Sequence, residues 1–413
     1  MEWVACVGVD WGNEKHAYVI DDGSGKRRAG EMGSSSEEVH AWVKELRECF
    51  AAGLIVVAIE QGRGGLLYAL SMYDFIVLVP LNPRASKSYR ESLRLSGASS
   101  DGSDAELICD FAIKHLDHLR VWRPDDSLTR KIRLLAEARR NLVDQRTGYT
   151  HALADALKAY FPQALQWFGG EGSKLLRAIL RSWPTLDALR GAKREQLIAT
   201  MKACRSRKIG ERVPALVEKI EAAVALTHDE AIVEAQAMYA QTLISVIEPL
   251  QEQIAKYDRA IAEAWSVHPD YELFDALPGA GPVLAPRLAV AFGIDRGRYQ
   301  DANEIQCYSG IAPVTEQSGK MVWTHVRFGC PKFLRQSFHE FAAASMPHSP
   351  WAKAVYEEQR ARGAQHHEAI RSLAFRWIRI LFRLWKDRQP FDEQRHLANL
   401  AKTQSPITRR LAA

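Results

Sequence analysis

The chain has 413 residues, 47% of them hydrophobic, and a formal net charge of +5, which predicts a globular protein of two or three domains with only a mild excess of basic residues. Its six cysteines lie far apart without a CxxC pair, so neither a zinc site nor a disulfide framework is indicated and a reducing cytosol is expected. The sequence has no N-terminal signal pattern and no uninterrupted apolar stretch of roughly 20 residues, so we expect a soluble protein without a membrane partner.

The first part of the chain alternates between strand and helix patterns. Short β-branched apolar runs predict buried strands at 3–9, 54–59 and 74–80, and 17–20 predicts a hairpin partner for the first strand. Residues 35–50 have helical spacing and begin with serines that can cap a helix. The order of strand, hairpin, helix, strand, helix and strand predicts an α/β sheet domain over residues 1–122.

The middle of the chain, residues 123–268, is predicted to be helical. An apolar stripe runs through 127–161 and ends before Pro162. A second run, 229–265, places Leu243, Ile247, Leu250, Ile254, Tyr257 and Ile261 at alternating steps of four and three, which is the spacing of a coiled-coil seam. Pro249 should kink or break this helix. The seam could pack within one chain or between two chains.

The last part, residues 269–392, begins with a Gly/Pro-rich turn and continues into helices, and a polar, loosely held tail is expected at 393–413. The stretch "ALPGAGPVLAPRL" has the pattern of a helix-hairpin-helix, in which backbone N–H groups near Gly279 and Gly281 could bind a phosphate. A plain Gly/Pro turn between two helices is the alternative.

Four carboxylates stand at the ends of the predicted elements. Asp10 ends the first strand, Glu60 follows the 54–59 strand, and Asp101 and Asp104 lie three residues apart on one face of a predicted helix. Taken singly, these acids can be a turn residue, a strand-end acid and helix caps. Four converging carboxylates would instead require cations, and oxygen ligands without thiolate or imidazole favour Mg²⁺ or Mn²⁺. Two such ions about 4 Å apart are a phosphoryl-transfer site.

The motifs "GVDWGNEKHA", "IEQGRGG", "SSDGSDAEL", "LPGAGPVLAPRLAVAFG" and "CYSGIAPVTEQSGK" together resemble the insertion sequence 110 family of transposases, the DEDD-type recombinases guided by a bridge RNA. The resemblance implies a RuvC-like, ribonuclease H-like first domain with Asp10, Glu60, Asp101 and Asp104 as metal ligands. It also implies a coiled-coil region that mediates assembly and a C-terminal transposase domain that carries a nucleophilic serine.

Two serines, Ser309 and Ser318, lie in the motif "YSGIAPVTEQSGK". On sequence alone, a turn serine is the better interpretation of Ser318. In the family the nucleophile belongs to a Ser-Gly motif beyond a Gly-x-x-Pro turn, which matches Ser318 after Gly310 to Pro313. A serine hydroxyl must be activated, and the resemblance implies a composite site in which the metal-bound carboxylates activate it.

The resemblance further implies that the chain binds a noncoding bridge RNA and target and donor double-stranded DNA, and that it exchanges strands as a homo-oligomer, a dimer or tetramer. A bacterial or archaeal cytoplasm, near the nucleoid, is the expected location. Candidate phosphate contacts are the basic residues Arg130, Lys131, Arg133, Arg139, Arg140, Arg146, Lys320, Arg327, Lys332, Arg335, Arg376, Arg379 and Arg383. A solvated helix face is the alternative for the two helical clusters.

Two other functions remain open at this stage. A metal-dependent junction endonuclease, hydrolysing DNA with water, would share the four carboxylates and need no serine. An actin-like kinase would bind ATP through "GVDWGNEKH", although neither a second phosphate hairpin nor an adenosine motif follows in the sequence.

Overall fold

The computed structural model describes residues 3–60, 64–93, 100–403 and 407. The chain divides into two units, Met1–Asp126 and Ser127–Ala413. The boundary predicted at residue 122 falls close to this division, and the further boundary at residue 268 remains a prediction.

The first unit is a five-stranded mixed sheet with helices on both faces. Its elements are β1 (Trp3–Asp10), β2 (Lys15–Asp21), β3 (Arg27–Gly33), α1 (Ser36–Cys49), β4 (Leu54–Ile59), α2 (Gly65–Leu70), β5 (Ile76–Pro80), α3 (Pro83–Leu93) and α4 (Asp101–His115). The strands have the order β3-β2-β1-β4-β5, in which β1, β2 and β3 pair antiparallel and β1, β4 and β5 pair parallel. The predicted strands and the predicted α/β sheet are confirmed.

The two faces of the sheet bury alternate residues of the same strands, which is why β1 and β4 are apolar almost throughout. Ala5, Val7 and Val9 pack with α1 and α2, whereas Cys6 packs on the opposite face with α4. The α4 backbone lies directly on Gly8, where a Cβ would stand 2.3 Å from the Ala105 carbonyl oxygen. Glycine at this position therefore lets α4 approach β1 closely.

The second unit begins with two long helices, and a group of short helices lies between them in the chain. The elements are α5 (Ser127–Tyr160), α6 (Gln163–Trp167), α7 (Lys174–Ser182), α8 (Leu186–Arg190), α9 (Arg194–Ala203), α10 (Ile209–Ala222) and α11 (Glu230–Ser266). The short helices and the adjoining halves of α5 and α11 enclose one hydrophobic core. The predicted helical region is therefore confirmed.

The apolar seam of α11 packs against α5 of the same chain. Arg139 binds Asp258 at 2.5 Å and Arg146 binds Gln251 at 2.8 Å, so the two helices run antiparallel. Pro249 was expected to kink or break this helix, and the expected break is wrong, because α11 continues through the proline. Burial of Ile247 and Ile254 on either side of the proline holds the helix together despite the lost backbone hydrogen bond.

The C-terminal part of the second unit packs around α17. Its elements are α12 (Tyr271–Asp275), α13 (Gly281–Phe292), α14 (Ala302–Tyr308), β6 (Val314–Ser318), β7 (Met321–His325), α15 (Lys332–Ser345), α16 (Pro350–Ala361), α17 (His366–Asp387) and α18 (Glu393–Lys402). The buried indoles of α17 have partners: Trp377 donates to Ser345 Oγ and Trp385 donates to the Gly293 carbonyl. This core therefore combines aromatic burial with satisfied polar groups.

The expected loose tail is instead partly helical. The Ser349 hydroxyl donates to Glu393 at 2.7 Å, and Leu397 and Leu400 of α18 pack against the C-terminal core. Within the tail, residues 404–406 and 408–413 lie outside the described residues. Across the ranges described, no helix has the length and apolar character needed to span a bilayer.

Candidate catalytic site

Asp10 and Glu60 stand side by side at one edge of the sheet. In the parallel pairing of β1 and β4, Val9 is opposite Ile59, so Asp10, the last residue of β1, and Glu60, the first residue after β4, lie at the same level. Side chains alternate between faces along a strand, which places Asp10 on the face of Cys6 and Gly8. By the same alternation Glu60 is on the face of Val56 and Ala58. This is the face covered by α4.

The N-terminus of α4 brings the other two acids to that edge. Ser100 caps the helix by accepting a hydrogen bond from the Ser103 N–H, and Asp101 and Asp104 lie in the first turn, where a carboxylate is favoured by the helix dipole. Because Cys109 packs beside Cys6 and Ala105 beside Gly8, the preceding turn of α4 continues toward the end of β1. The helix-cap interpretation of the two aspartates is replaced by a cap at Ser100.

The carboxylates are close enough to alter the acidity of Asp10. Burial, followed by the negative charges of Asp104, Asp101 and Glu60, raises the pKa of Asp10 from 3.8 to about 6. This is the behaviour of like charges that share a partly desolvated site. All four predicted acids therefore meet in one electrostatic cluster, hereafter the acid cluster (Asp10, Glu60, Asp101 and Asp104).

Arg90 of α3 is a charged neighbour of this cluster that the sequence did not single out. Its Nη2 lies 3.0 Å from Asp104 Oδ2, and the two side chains are 26% and 14% exposed. Its positive charge lowers the pKa of Asp10, opposing the carboxylates. Asp104 Oδ1 and Arg90 Nε are both buried without a hydrogen-bond partner among the described residues. Only the packing of α3 on α4 could reveal this pair.

The chemistry of the donor set fits a hard divalent cation. The cluster offers carboxylate oxygens alone, and the buried Asp104 Oδ1 accepts no hydrogen bond from the residues that the structure describes. In the described part of the chain, however, no three Asp, Glu, His or Cys side chains stand close enough to form a ready ligand group. The acids are gathered at one place, but binding a cation would require them to draw closer together.

Ser318 and Ser309 are in very different environments. Ser318 is the last residue of β6 and is exposed beside the two-residue turn of the β6–β7 hairpin, where Gly319 has φ of +58°. Ser309 is completely buried at the end of α14 and donates to the Gln306 carbonyl. Of the two serines, only Ser318 has a hydroxyl within reach of a macromolecular substrate.

The hairpin face that carries Ser318 also carries an ion pair. The register places Glu316, Ser318 and His325 on one side of the hairpin. His325 Nε2 lies 2.9 Å from Glu316 Oε1. This hydrogen bond raises the pKa of His325 and lowers the pKa of Glu316. No local sequence pattern indicates this pair, because the two residues are separated by the turn.

The helix-hairpin-helix pattern corresponds to α12, a Gly/Pro turn and α13. Gly281 is exposed at the start of α13 with open space around it. Gly279 has φ of +76°, and a Cβ there would stand 2.2 Å from the Ala344 carbonyl oxygen. Gly279 is thus required for packing against α15, and Gly281 is the glycine open to a ligand.

Many of the predicted phosphate contacts bind groups of the same chain. Arg139 pairs with Asp258, Arg140 with Asp144 and Glu340, Arg133 with Glu137, Arg376 with Glu358 and Arg383 with Asp387, while Arg146 binds Gln251, Arg327 contacts Cys307 and Arg335 binds the Arg327 carbonyl. Arg130 is half-buried, whereas Lys131, Lys320, Lys332, Arg379 and Arg383 are exposed. The exposed group is the part of the set that a nucleic acid can reach directly.

Two family models match the chain. The DEDD-type IS110 model, described as a transposase, matches residues 7–162, and the model described as the transposase IS116/IS110/IS902 family matches residues 271–357. The first range includes all four acids and the second includes Ser318. Together the two ranges cover more than half of the chain.

Curated relatives match over nearly the full length. The mini-circle putative transposase for IS117 of Streptomyces coelicolor is 28% identical over 95% of this chain and 96% of its own. The IS900 uncharacterized 42 kDa protein of Mycobacterium paratuberculosis is 26% identical over 92% of this chain and 95% of its own. A pilin gene-inverting protein of Moraxella bovis is 26% identical over 30% of this chain and 39% of its own. The chain therefore belongs to the IS110 family of transposases.

Proposed function

We propose that this chain is a bridge-RNA-guided DNA recombinase of an insertion sequence, which cuts and rejoins target and donor strands through a phosphodiester bond to Ser318. The observation that carries the proposal is the acid cluster, because four carboxylates gathered at a sheet edge closely enough to raise the pKa of Asp10 are suited to holding divalent cations. The strand order β3-β2-β1-β4-β5, with helices on both faces, supports assigning the first unit to the ribonuclease H-like, RuvC-like fold.

Asp10, Glu60, Asp101 and Asp104 would hold Mg²⁺ or Mn²⁺, and two ions are proposed. Bound there, the cations supply Lewis-acid stabilisation of the charge that develops on the phosphate during displacement. The carboxylates position the cations and offset their charge, while α4 and the ends of β1 and β4 hold the carboxylates at the sheet edge.

Ser318 Oγ attacks the scissile phosphorus and the bridging oxygen leaves as a strand hydroxyl. The serine proton is transferred to a base, and the leaving oxygen gains a proton. A hydroxyl of the new partner strand then attacks the serine-linked phosphorus, which restores Ser318. One phosphodiester replaces another at each step, so strand exchange needs no nucleotide triphosphate. The exposure of Ser318 at the hairpin turn supports this role.

Nucleic-acid binding is proposed to rest on phosphates, with sequence selected by base pairing between the bridge RNA and the target and donor DNA. The exposed residues Lys131, Lys320, Lys332, Arg379 and Arg383, and the start of α13 at Gly281, are the proposed contacts. Two DNA duplexes must be processed together, so we also propose that the chain acts as a homo-oligomer.

The alternative function is a metal-dependent junction endonuclease that uses water as the nucleophile. The names of the relatives favour recombination, since transposition and gene inversion both require strands to be rejoined. Membership of a transposase family likewise gives no support to the alternative that the chain is an actin-like kinase that binds ATP.

The test is to express the protein with its own flanking noncoding DNA and to incubate it with target DNA and Mg²⁺. We expect a covalent protein–DNA adduct that is lost in Ser318→Ala. Ser309→Ala is the matched control, because its buried hydroxyl is not part of the proposed site, and it should still form the adduct. Cleaved DNA without an adduct, persisting in Ser318→Ala, would instead establish the endonuclease.

A further inference from the structure

Arg90 and Asp104 form an ion pair at the acid cluster. The Arg90 Nη2 to Asp104 Oδ2 distance is 3.0 Å, and both side chains are largely shielded from water. Arg90 extends from α3, whereas Asp104 lies in the first turn of α4. The Arg90 guanidinium thus binds Asp104 from a neighbouring helix. Among the other three acids, Asp104 makes the largest contribution to the raised pKa of Asp10.

The pair leaves one oxygen of Asp104 unused. Among the described residues, the buried Asp104 Oδ1 accepts no hydrogen bond and the buried Arg90 Nε donates none. An arginine that served only to satisfy this carboxylate could bind both oxygens in a bidentate pair. The observed single contact leaves Oδ1 available to a second cation.

We propose that Arg90 is an internal counter-ion of the acid cluster, which holds Asp104 when no divalent cation is bound and opposes the cation when it arrives. The inference rests on the proposed function, since it takes the acid cluster as a metal site. Arg90 supplies one positive charge to four carboxylates, so the cluster can form before metal binds. The same charge repels a divalent ion a few ångströms away, and the repulsion weakens metal binding.

The consequence can be measured without DNA. Removing one positive charge from beside a divalent site is expected to tighten cation binding by about tenfold, given the strength of charge interactions at such distances near a protein surface. The metal-free protein should become less stable, because Asp104 loses the guanidinium paired with it. A purely structural ion pair between α3 and α4 would change stability but leave cation affinity unaltered.

The experiment titrates Mn²⁺ into the full-length chain by calorimetry and records thermal unfolding in EDTA. Arg90→Gln should bind Mn²⁺ about tenfold more tightly than wild type and unfold at a lower temperature in EDTA. Arg90→Lys, which keeps the charge, should bind Mn²⁺ nearly as wild type does. The control is Lys87→Gln, which removes an exposed charge from the same helix. Lys87 Nζ lies 3.8 Å from Glu91 Oε1.

Each result bears on the proposal. Unchanged or weaker Mn²⁺ binding in Arg90→Gln, or equal tightening in Lys87→Gln, overturns the counter-ion role while leaving the metal site intact. Asp104→Asn tests the metal site separately from the counter-ion role of Arg90, because it should weaken Mn²⁺ binding whether or not Arg90 is present. If wild type and Arg90→Gln both fail to bind Mn²⁺, the proposed metal chemistry fails and the role of Arg90 fails with it.

Discussion

At Asp10 a carboxylate ends a strand whose preceding residues are almost all buried. Its position at the sheet edge, beside α4 and three other acids, raises its pKa to about 6 through burial and charge repulsion. An ionised acid in this place lowers the stability of the metal-free fold. Asp10 is thus a residue whose environment opposes ionisation unless a cation is supplied.

We predict that Asp10→Asn stabilises the metal-free protein at neutral pH. A pKa raised in the folded state contributes stability that is present below pH 4 and is lost as the pH rises through about 6. The variant avoids this loss, so its thermal midpoint in EDTA should exceed that of wild type by on the order of 3 °C at pH 7.5. At pH 4 the two should coincide. A variant that is less stable at pH 7.5 would contradict the prediction.

At the scale of elements, α4 is tied to its neighbours midway along its length. Asp110 accepts hydrogen bonds from Tyr89 of α3 at 2.5 Å, from Lys114 at 2.7 Å and from Arg27 of β3 at 3.0 Å. Although burial acts in the opposite direction, the hydrogen bonds from Lys114, Tyr89 and Arg27 lower the pKa of Asp110 to about 2. This network holds α3 and β3 on the helix that carries Asp101 and Asp104.

We predict that Asp110→Asn lowers the free energy of unfolding by about 1–2 kcal/mol at pH 7, because charged hydrogen bonds to three side chains are weakened. A lowered pKa in the folded state gives stability that is present above pH 4 and is lost as the pH falls through about 2. The free energies of unfolding of wild type and variant, measured by urea unfolding between pH 2 and pH 7, should therefore converge at low pH. Curves that stay parallel throughout would contradict the role of Asp110.

At the scale of the whole molecule, the basic residues have two different uses. Arg140 binds Glu340, which lies 200 residues away in the chain, and Arg376 binds the buried Glu358. Arg379, one turn away from Arg376, is exposed on the same helix, α17. The spacing of basic residues along a helix therefore does not show which of them stabilise the fold through ion pairs and which are exposed and can bind a phosphate.

We predict that Arg379→Ala affects DNA binding, whereas Arg376→Ala affects stability. Arg379→Ala should reduce by about one the slope of log affinity against log salt for duplex DNA, with little change in thermal stability. Arg376→Ala should lower the thermal midpoint, because it removes a partner from the buried carboxylate of Glu358. Fluorescence anisotropy over a salt series, with thermal unfolding of the same samples, measures both. An unchanged slope in Arg379→Ala would remove this residue from the proposed interface.

Sequence patterns alone predicted the sheet of the first unit, the long helices α5 and α11, the family and the positions of the four acids at element ends. These features follow from local patterns such as apolar runs, the serine caps and the short spacing of Asp101 and Asp104. Tertiary structure decided what depends on contacts between distant residues. Such contacts bring Arg90 to Asp104, bury Ser309 while Ser318 stays exposed, pack the seam of α11 on α5, and carry that helix through Pro249. These outcomes depend on packing and on charges brought together by folding, which no short stretch of sequence encodes.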